Sequence, residues 1–229
     1  MSTKCRVKRT FPRPERALVE ALRGISAADV ADCLDGDCAV GSALMPMNAA
    51  PLLGAAFTVT CPPGDNLMFH LALDLARPGD VVVVTGGDPQ HALCGELMAA
   101  WARTRGLAGF MVDGCVRDRE ALSQLTDFPV YARGTAPAGP TGVGPGEINH
   151  PVAVCGVTVR PGDVLVGDGD GIAVIPREKL AETAERAVAL ARRNRDRLER
   201  ILSGEGFSRP GAEAALAALE MDYTDEEDE

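Results

Sequence analysis

The chain has 229 residues, 46% hydrophobic and 24% charged, which is enough to bury the core of one large domain or two small ones. The net charge is -10. Asp222, Asp225, Glu226, Glu227, Asp228 and Glu229 form a terminal acidic run, and the rest has no clustered basic face, which argues against a nucleic-acid partner. Apolar runs such as Val81 to Val84 fall far short of the roughly 20 residues a bilayer span needs, and none follows the basic N-terminus as a signal peptide requires, so the expectation is a cytoplasmic protein with no membrane partner.

Residues 1–13 are basic, lack apolar periodicity and read as an N-terminal extension. Over 14–35, Leu18, Leu22, Ile25, Val30 and Leu34 follow a broken helical pattern. This predicts two short helices separated at Gly24-Ile25-Ser26, with Ser26 as N-cap of the second. Gly36 to Pro51, rich in Gly, Pro and Met, reads as loop. From Gly54 the chain alternates apolar runs with amphipathic segments. Strands are expected at Ala55 to Cys61, Val81 to Thr85 and Gly109 to Asp113, and helices at Asn66 to Ala76, Gly95 to Arg105 and Arg119 to Leu125. The run Val81 to Val84 is apolar and β-branched throughout, as for a central strand covered on both faces. Pro78-Gly79-Asp80 and Pro161-Gly162-Asp163 are tight turns ahead of strands. Further strands are expected near Val130, over Val152 to Val159, Val164 to Val166 and Ile172 to Ile175, with Gly167 to Gly171 a connecting turn. A long helix then runs from Pro176 to Leu202. Its Arg192, Arg193, Arg195, Arg197 and Arg200, interleaved with Asp196 and Glu199, read as a solvated face. The α/β domain is thus bounded at 14–203. Residues 204–229 form a C-terminal extension with a helix over Ala214 to Met221 and a disordered acidic end.

Seven cysteines without a C-x-x-C pair and three histidines without metal spacing disfavour zinc or a disulfide framework. Any metal is expected on oxygen ligands, with most cysteines buried and reduced. The most informative stretch is Phe110 to Asp118, a buried strand running into Gly114 and then Arg117-Asp118. An arginine fork grips a carboxylate, and a neighbouring aspartate holds a hard cation, which suits a keto-acid site at a strand end. The same pair also suits an ordinary helix start, with Asp118 stabilising the first turn of the next helix. Gly95-Glu96-Leu97 begins the helix before that strand, where free amides can bind an anion; it reads equally well as a loop glycine and a first-turn acid. Cys115 beside Arg117 favours a lowered thiol pKa, but no nearby histidine supports a cysteine nucleophile.

Pro63-Gly64-Asp65-Asn66-Leu67, Pro78 to Val84, Gly95-Glu96-Leu97, Gly114-Cys115-Val116-Arg117-Asp118, and Pro161-Gly162-Asp163 with Asp168 to Gly171 occur in this order. The set resembles the RraA-like family over roughly residues 15 to 200. That family includes 4-hydroxy-4-methyl-2-oxoglutarate/4-carboxy-4-hydroxy-2-oxoadipate aldolases, which also decarboxylate oxaloacetate, and proteins that inhibit ribonuclease E by binding it. The resemblance implies an α/β/α sandwich with N-terminal helices and a long C-terminal helix, assembled as a homotrimer or hexamer with sites between subunits. It also implies Mg2+ or Mn2+, with Asp118 as metal ligand, Arg117 on the 2-oxo acid substrate, and Gly95, Glu96, Leu97 and Met98 supplying an acid and backbone amides to substrate and metal-bound water. Arg117 and Glu96 are the implied catalytic residues. Three positions depart from the aldolase pattern: Ala121 stands where the aldolases carry an acid, Gly139-Pro140-Thr141-Gly142 lacks their substrate-contacting lysine, and Asn194 stands where a neighbouring subunit's acid is expected. The implied activity is a class II pyruvate aldolase; the alternative is a non-catalytic regulator of ribonuclease E.

Overall fold

The computed structural model describes residues 5–34, 38–207 and 210–221. The chain forms two units, Met1–Ala191 and Arg192–Glu229. In chain order the elements are β1 (Arg6–Val7), α1 (Arg16–Ala21), α2 (Ala27–Ala31), β2 (Ala39–Val40), β3 (Met45–Pro46), β4 (Leu52–Thr60), α3 (Leu67–Leu75), β5 (Asp80–Thr85), β6 (Ala92–Cys94), α4 (Glu96–Thr104), β7 (Gly109–Val116), α5 (Arg119–Ser123), β8 (Val130–Thr135), β9 (Glu147–Ile148), β10 (Val152–Val154), β11 (Val157–Val159), β12 (Val164–Asp168), β13 (Gly171–Ile175), α6 (Leu180–Leu202) and α7 (Pro210–Ala217). The α/β class, the N-terminal helices and the long C-terminal helix expected from the sequence are all present. Two short strands, β2 and β3, interrupt the expected loop before Pro51, and its Gly36 lies outside the described residues, as do residues 222–229 of the acidic tail.

The main sheet runs β2-β13-β12-β4-β5-β7-β8-β3. β4, β5, β7 and β8 are mutually parallel, whereas β12, β13 and β2 extend the sheet antiparallel on one side. The valines of β5 have no exposed surface. Their alternation directs Val82 and Val84 toward the core beneath α3, α4 and α5, with Phe57, Phe69 and Phe110, and Val81 and Val83 toward the other face. Each such burial stabilises by roughly 1.5–3 kcal/mol before entropy is counted. On the same face as α3 and α4, helices α1, α2 and the start of α6 cover β12 and β13 through Leu22, Val30, Leu180 and Ala187. Ser26 caps α2 as expected, its hydroxyl accepting the Asp29 amide at 3.0 Å.

The opposite face is closed by an antiparallel hairpin, β10 and β11, whose Val152, Val154, Val157 and Val159 pack on Val81, Val83, Tyr131 and Leu165. One continuous strand was expected over Val152 to Val159. The chain instead reverses at Cys155 and Gly156, with φ of 48° and 90°. Two consecutive positive φ values match the twist of a two-residue hairpin turn. Cysteine is not a turn-forming residue, and the β-branched residues on either side hide the break.

The two Arg-Pro-Gly-Asp turns fold alike. In each, the Asp80 or Asp163 amide donates to the Arg77 or Arg160 carbonyl at 3.0 Å, and Gly79 or Gly162 takes φ of 87° or 90°, the type II geometry. Each aspartate carboxylate then accepts the arginine amide, at 2.8 Å and 2.7 Å. Burial pushes the Asp163 carboxyl above its ordinary range, only partly offset by the Arg160 and Arg177 amides.

Residues 5–13 carry no periodic pattern yet are docked. β1 pairs parallel with β9, Asn149 Nδ2 donates to the Lys8 carbonyl at 2.7 Å, and Phe11 packs edge-on to Phe57. Arg13 lies over the Phe11 ring and pairs with buried Asp80 through both guanidinium nitrogens. In the second unit residues 192–200 are exposed, and the Arg197 guanidinium sits 4.7 Å from the Phe207 ring centre. No helix among the described residues is long and apolar enough to cross a membrane.

Candidate active site

The parallel strands β4, β5, β7 and β8 end at one edge of the sheet, and Arg117-Asp118 follows directly on β7. The Arg117 amide donates to the Cys94 carbonyl at 2.9 Å, fixing the strand end to β6, a short strand that periodicity does not reveal. Asp118 then takes the left-handed conformation, φ 58° and ψ 42°, which aspartate tolerates better than most residues. The turn aims its carboxylate away from its own helix. Asp118 occupies the N-cap position of α5 without making a side-chain cap there; its Oδ2 instead accepts the Glu96 amide at 3.0 Å, at the start of α4.

This close approach requires glycine at 95. A Cβ there would overlap Asp118 Oδ2 and lie 2.9 Å from Arg117 Cγ. The first bond within α4 runs from the Ala99 amide to the Gly95 carbonyl, so the Leu97 and Met98 amides have no partner inside the helix. The Arg117 side chain is about half-exposed, and among the described residues its one ion pair is to Asp118 at 3.9 Å. It therefore keeps most of its donors for a ligand.

These groups line a pocket of about 380 Å3 together with Asn66, Leu67, His70, Pro140 and Gly142. The pocket brings together Gly95, Leu97, Met98, Arg117 and Asp118. Glu96 does not line it: its side chain is exposed, and its amide is the group engaged with Asp118. Sequence reasoning missed Asn66 and His70, one helical turn apart at the start of α3. Asn66 stands in the Pro63 to Leu67 motif, but its chemistry reads there as an ordinary helix N-cap.

Asp65 holds the rim. Its buried carboxylate accepts the Leu67 amide at 2.9 Å, the Thr141 hydroxyl at 2.8 Å, the Val143 amide at 2.7 Å and the Gly144 amide at 3.1 Å. Burial alone would raise its pKa, but these hydrogen bonds outweigh it and hold the carboxyl below the ordinary value. The Cys115 thiol differs from expectation: burial, reinforced by the Asp88 charge, raises its pKa rather than lowering it, which disfavours the thiolate. Cys94, in the pocket wall, is pushed up by burial to about 12. Cys33 and Cys61 are also buried, whereas Cys5 is exposed.

Among the described residues no three His, Cys, Asp or Glu side chains gather as a metal cage. The Asp118 carboxylate is about two-fifths exposed, and its Oδ1 accepts no hydrogen bond from the described residues. A single open carboxylate at the mouth of this pocket fits a hydrated Mg2+-type ion completed by substrate and water oxygens. A larger cavity of about 510 Å3 lies at the opposite end of the parallel strands, but its acids are already paired: Asp80 with Arg13, Glu20 with Arg23 and Asp127 with Arg103.

The model of the RraA-like family, described as Aldolase/RraA, matches residues 27–174. A protein of Halalkalibacterium halodurans named "Putative 4-hydroxy-4-methyl-2-oxoglutarate aldolase" is 39% identical over 171 residues, covering 74% of this chain and 81% of that protein. An uncharacterized protein from Pseudomonas syringae pv. tomato has a TM-score of 0.74 at 25% identity, covering 85% of this chain and 96% of the other. Streptomyces coelicolor RraAS2, described as an unusual member of the RNase ES inhibitor RraA protein family, has a TM-score of 0.72 at 26% identity, covering 83% and 99%.

Proposed function

The chain belongs to the RraA-like family, and on that premise we propose that it is a divalent-metal-dependent pyruvate aldolase. Its substrate is 4-hydroxy-4-methyl-2-oxoglutarate or a related 4-hydroxy-2-oxo acid, with oxaloacetate decarboxylation as a side activity. The observation that carries this reading is the bond from the Glu96 amide to Asp118, which sets a carboxylate and an arginine beside the free amides of a helix start. That combination suits a 2-oxo acid and a cation together.

Arg117 binds the 2-oxo oxygen, and its guanidinium charge stabilises the negative charge that reaches this oxygen as the C3-C4 bond breaks. The Leu97 and Met98 amides receive the adjoining carboxylate. Asp118 would hold Mg2+ or Mn2+ through its open oxygen, and exposed Glu96 is the second acid at hand. When bound, the cation supplies further neutralisation of charge on the 2-oxo acid. Cleavage of the hydroxy acid and loss of CO2 from oxaloacetate leave the same charge on the same oxygen, so one arrangement serves both.

A coupled pyruvate assay with each substrate, with and without Mg2+ or Mn2+, tests the reading. Asp118→Asn keeps an acceptor for the Glu96 amide but loses the charge, and metal-dependent pyruvate release should fall by at least roughly tenfold. Full retention would show that Asp118 is not the metal ligand.

Ala121, on α5 where the aldolases carry an acid, favours a second reading: a non-catalytic regulator that binds ribonuclease E. Inactivity toward both substrates combined with tight ribonuclease E binding would establish it. Either way we place the protein in the cytoplasm as a homotrimer or hexamer. Supporting the assembly, Leu97 and Val143 at the pocket are 80% and 82% exposed, and Trp101, one turn beyond Leu97, is also exposed.

A further inference from the structure

Asn66 has the sequence and position of a helix N-cap but does not act as one: its side chain makes no capping bond to α3. Its Nδ2 donates instead to the Leu93 carbonyl at 2.9 Å, with Met98 Sδ at 3.7 Å on the same nitrogen. Those contacts fix the plane of the amide and turn Oδ1 the other way, toward Gly142, which lines the same pocket. The residue is only 6% exposed, and Oδ1 accepts no hydrogen bond from the described residues. Oδ1 is thus a rigidly oriented acceptor that opens on the pocket, where water or a ligand donor completes it.

The other polar groups lining this pocket are the Arg117 guanidinium, the Leu97 and Met98 amides, the Asp118 carboxylate and the His70 imidazole, which can also accept a hydrogen bond but is exposed where Asn66 is buried and fixed. Donors suit the oxygens of a 2-oxo carboxylate. An uncharged acceptor suits a hydroxyl. Resting on the aldolase reading, we infer that Asn66 Oδ1 accepts a hydrogen bond from the substrate's 4-hydroxyl and is the residue that selects 4-hydroxy-2-oxo acids over unhydroxylated ones such as oxaloacetate. As the C3-C4 bond breaks, its electron pair passes to C3 and the 2-oxo group, the 4-hydroxyl oxygen becomes a carbonyl, and its proton leaves to water. The hydroxyl has a single proton, so it must turn from Oδ1 to water as the bond breaks; Asn66 takes no proton, and its part is to bind and place the 4-hydroxyl in the ground state.

Gly142 supplies a test that leaves Asn66 and its packing in place. Among the described residues, Asn66 Oδ1 at 3.9 Å is the one neighbour beyond the adjoining residues within 4 Å of where a Cβ would stand, and the φ of Gly142 lies outside the left-handed region, so alanine is accommodated. The new methyl occupies the approach a hydroxyl needs to come within about 2.8 Å of Oδ1. The experiment compares kcat/KM for pyruvate release from 4-hydroxy-4-methyl-2-oxoglutarate and from oxaloacetate in the wild type, Asn66→Ala and Gly142→Ala, with melting curves to confirm folding. Both variants should lose roughly tenfold or more on the hydroxylated substrate while oxaloacetate turnover changes less than about threefold. Equal losses on the two substrates, or no loss, in folded Gly142→Ala overturn the assignment while leaving the aldolase reading standing. A wild type inactive on both substrates overturns the two together.

Discussion

At the scale of single residues, the site depends on what is missing from position 95. Alanine there would force Asp118 off the Glu96 amide and push Arg117 aside, while adding a better helix former at the edge of α4. Gly95→Ala should therefore keep its melting temperature within a few degrees yet lose roughly a hundredfold in kcat/KM, the order expected for a misplacement of about 1 Å. Circular dichroism melting beside the pyruvate assay checks both halves. The position of Arg117 and Asp118 at the end of a buried strand was legible from the apolar run before Gly114, whereas the pair alone read equally as an ordinary helix start. Their geometry was not: the left-handed turn of Asp118 and its bond to Glu96 join residues 22 apart, and no local propensity encodes that meeting. Asn66 was hidden because its bond to the Leu93 carbonyl, 27 residues on, is a tertiary contact that no local pattern encodes.

At the scale of elements, the rim segment Thr141 to Gly144 has no regular structure of its own and takes its shape from one carboxylate. Asp65→Asn exchanges an acceptor oxygen for an NH2 facing amide donors, which should destabilise by about 1–3 kcal/mol and raise KM more than it lowers kcat. The pH dependence has a definite sign. Because the folded Asp65 pKa lies below its unfolded value, its contribution is fully present above that unfolded value, near pH 4, and is lost as pH falls through the folded one. Urea melts at pH 7 and near pH 3 should show the gap between wild type and Asp65→Asn narrowing at the lower pH. The parallel strands were readable as short apolar runs and their helices from amphipathic segments between them, but the β10–β11 hairpin was not, because apolar residues flank its turn on both sides.

At the scale of the molecule, the sequence pattern told where the long strands of the main sheet lie but not which are neighbours. Antiparallel β12 lies beside β4, pairing Val164 with Ala55, and nothing in either segment announces its partner. The apolar surface around the pocket is likewise a whole-molecule property. Leu97 and Trp101 lie one turn apart on α4, on the same helix face, where a soluble monomer would be expected to carry polar groups. If a second copy covers them, Leu97→Glu with Trp101→Glu should shift light-scattering mass toward the monomer and reduce activity together. A monomeric wild type would remove the basis for the assembly.

The docking of residues 5–13 bears on how the molecule comes to be folded. Arg6 meets Glu147 across 141 positions of sequence, and Arg13 meets Asp80 across 67. During synthesis the opening segment has nothing to pair with until the strands it binds have been made and have assembled. Loop closure over such a span is favourable only once the sheet exists, so these contacts form late in folding. Contacts absent from the transition state govern how fast a protein comes apart rather than how fast it forms. The first described residues thus act as a latch on the lifetime of the fold, joining the strand that follows the site rim to the head of the central strand.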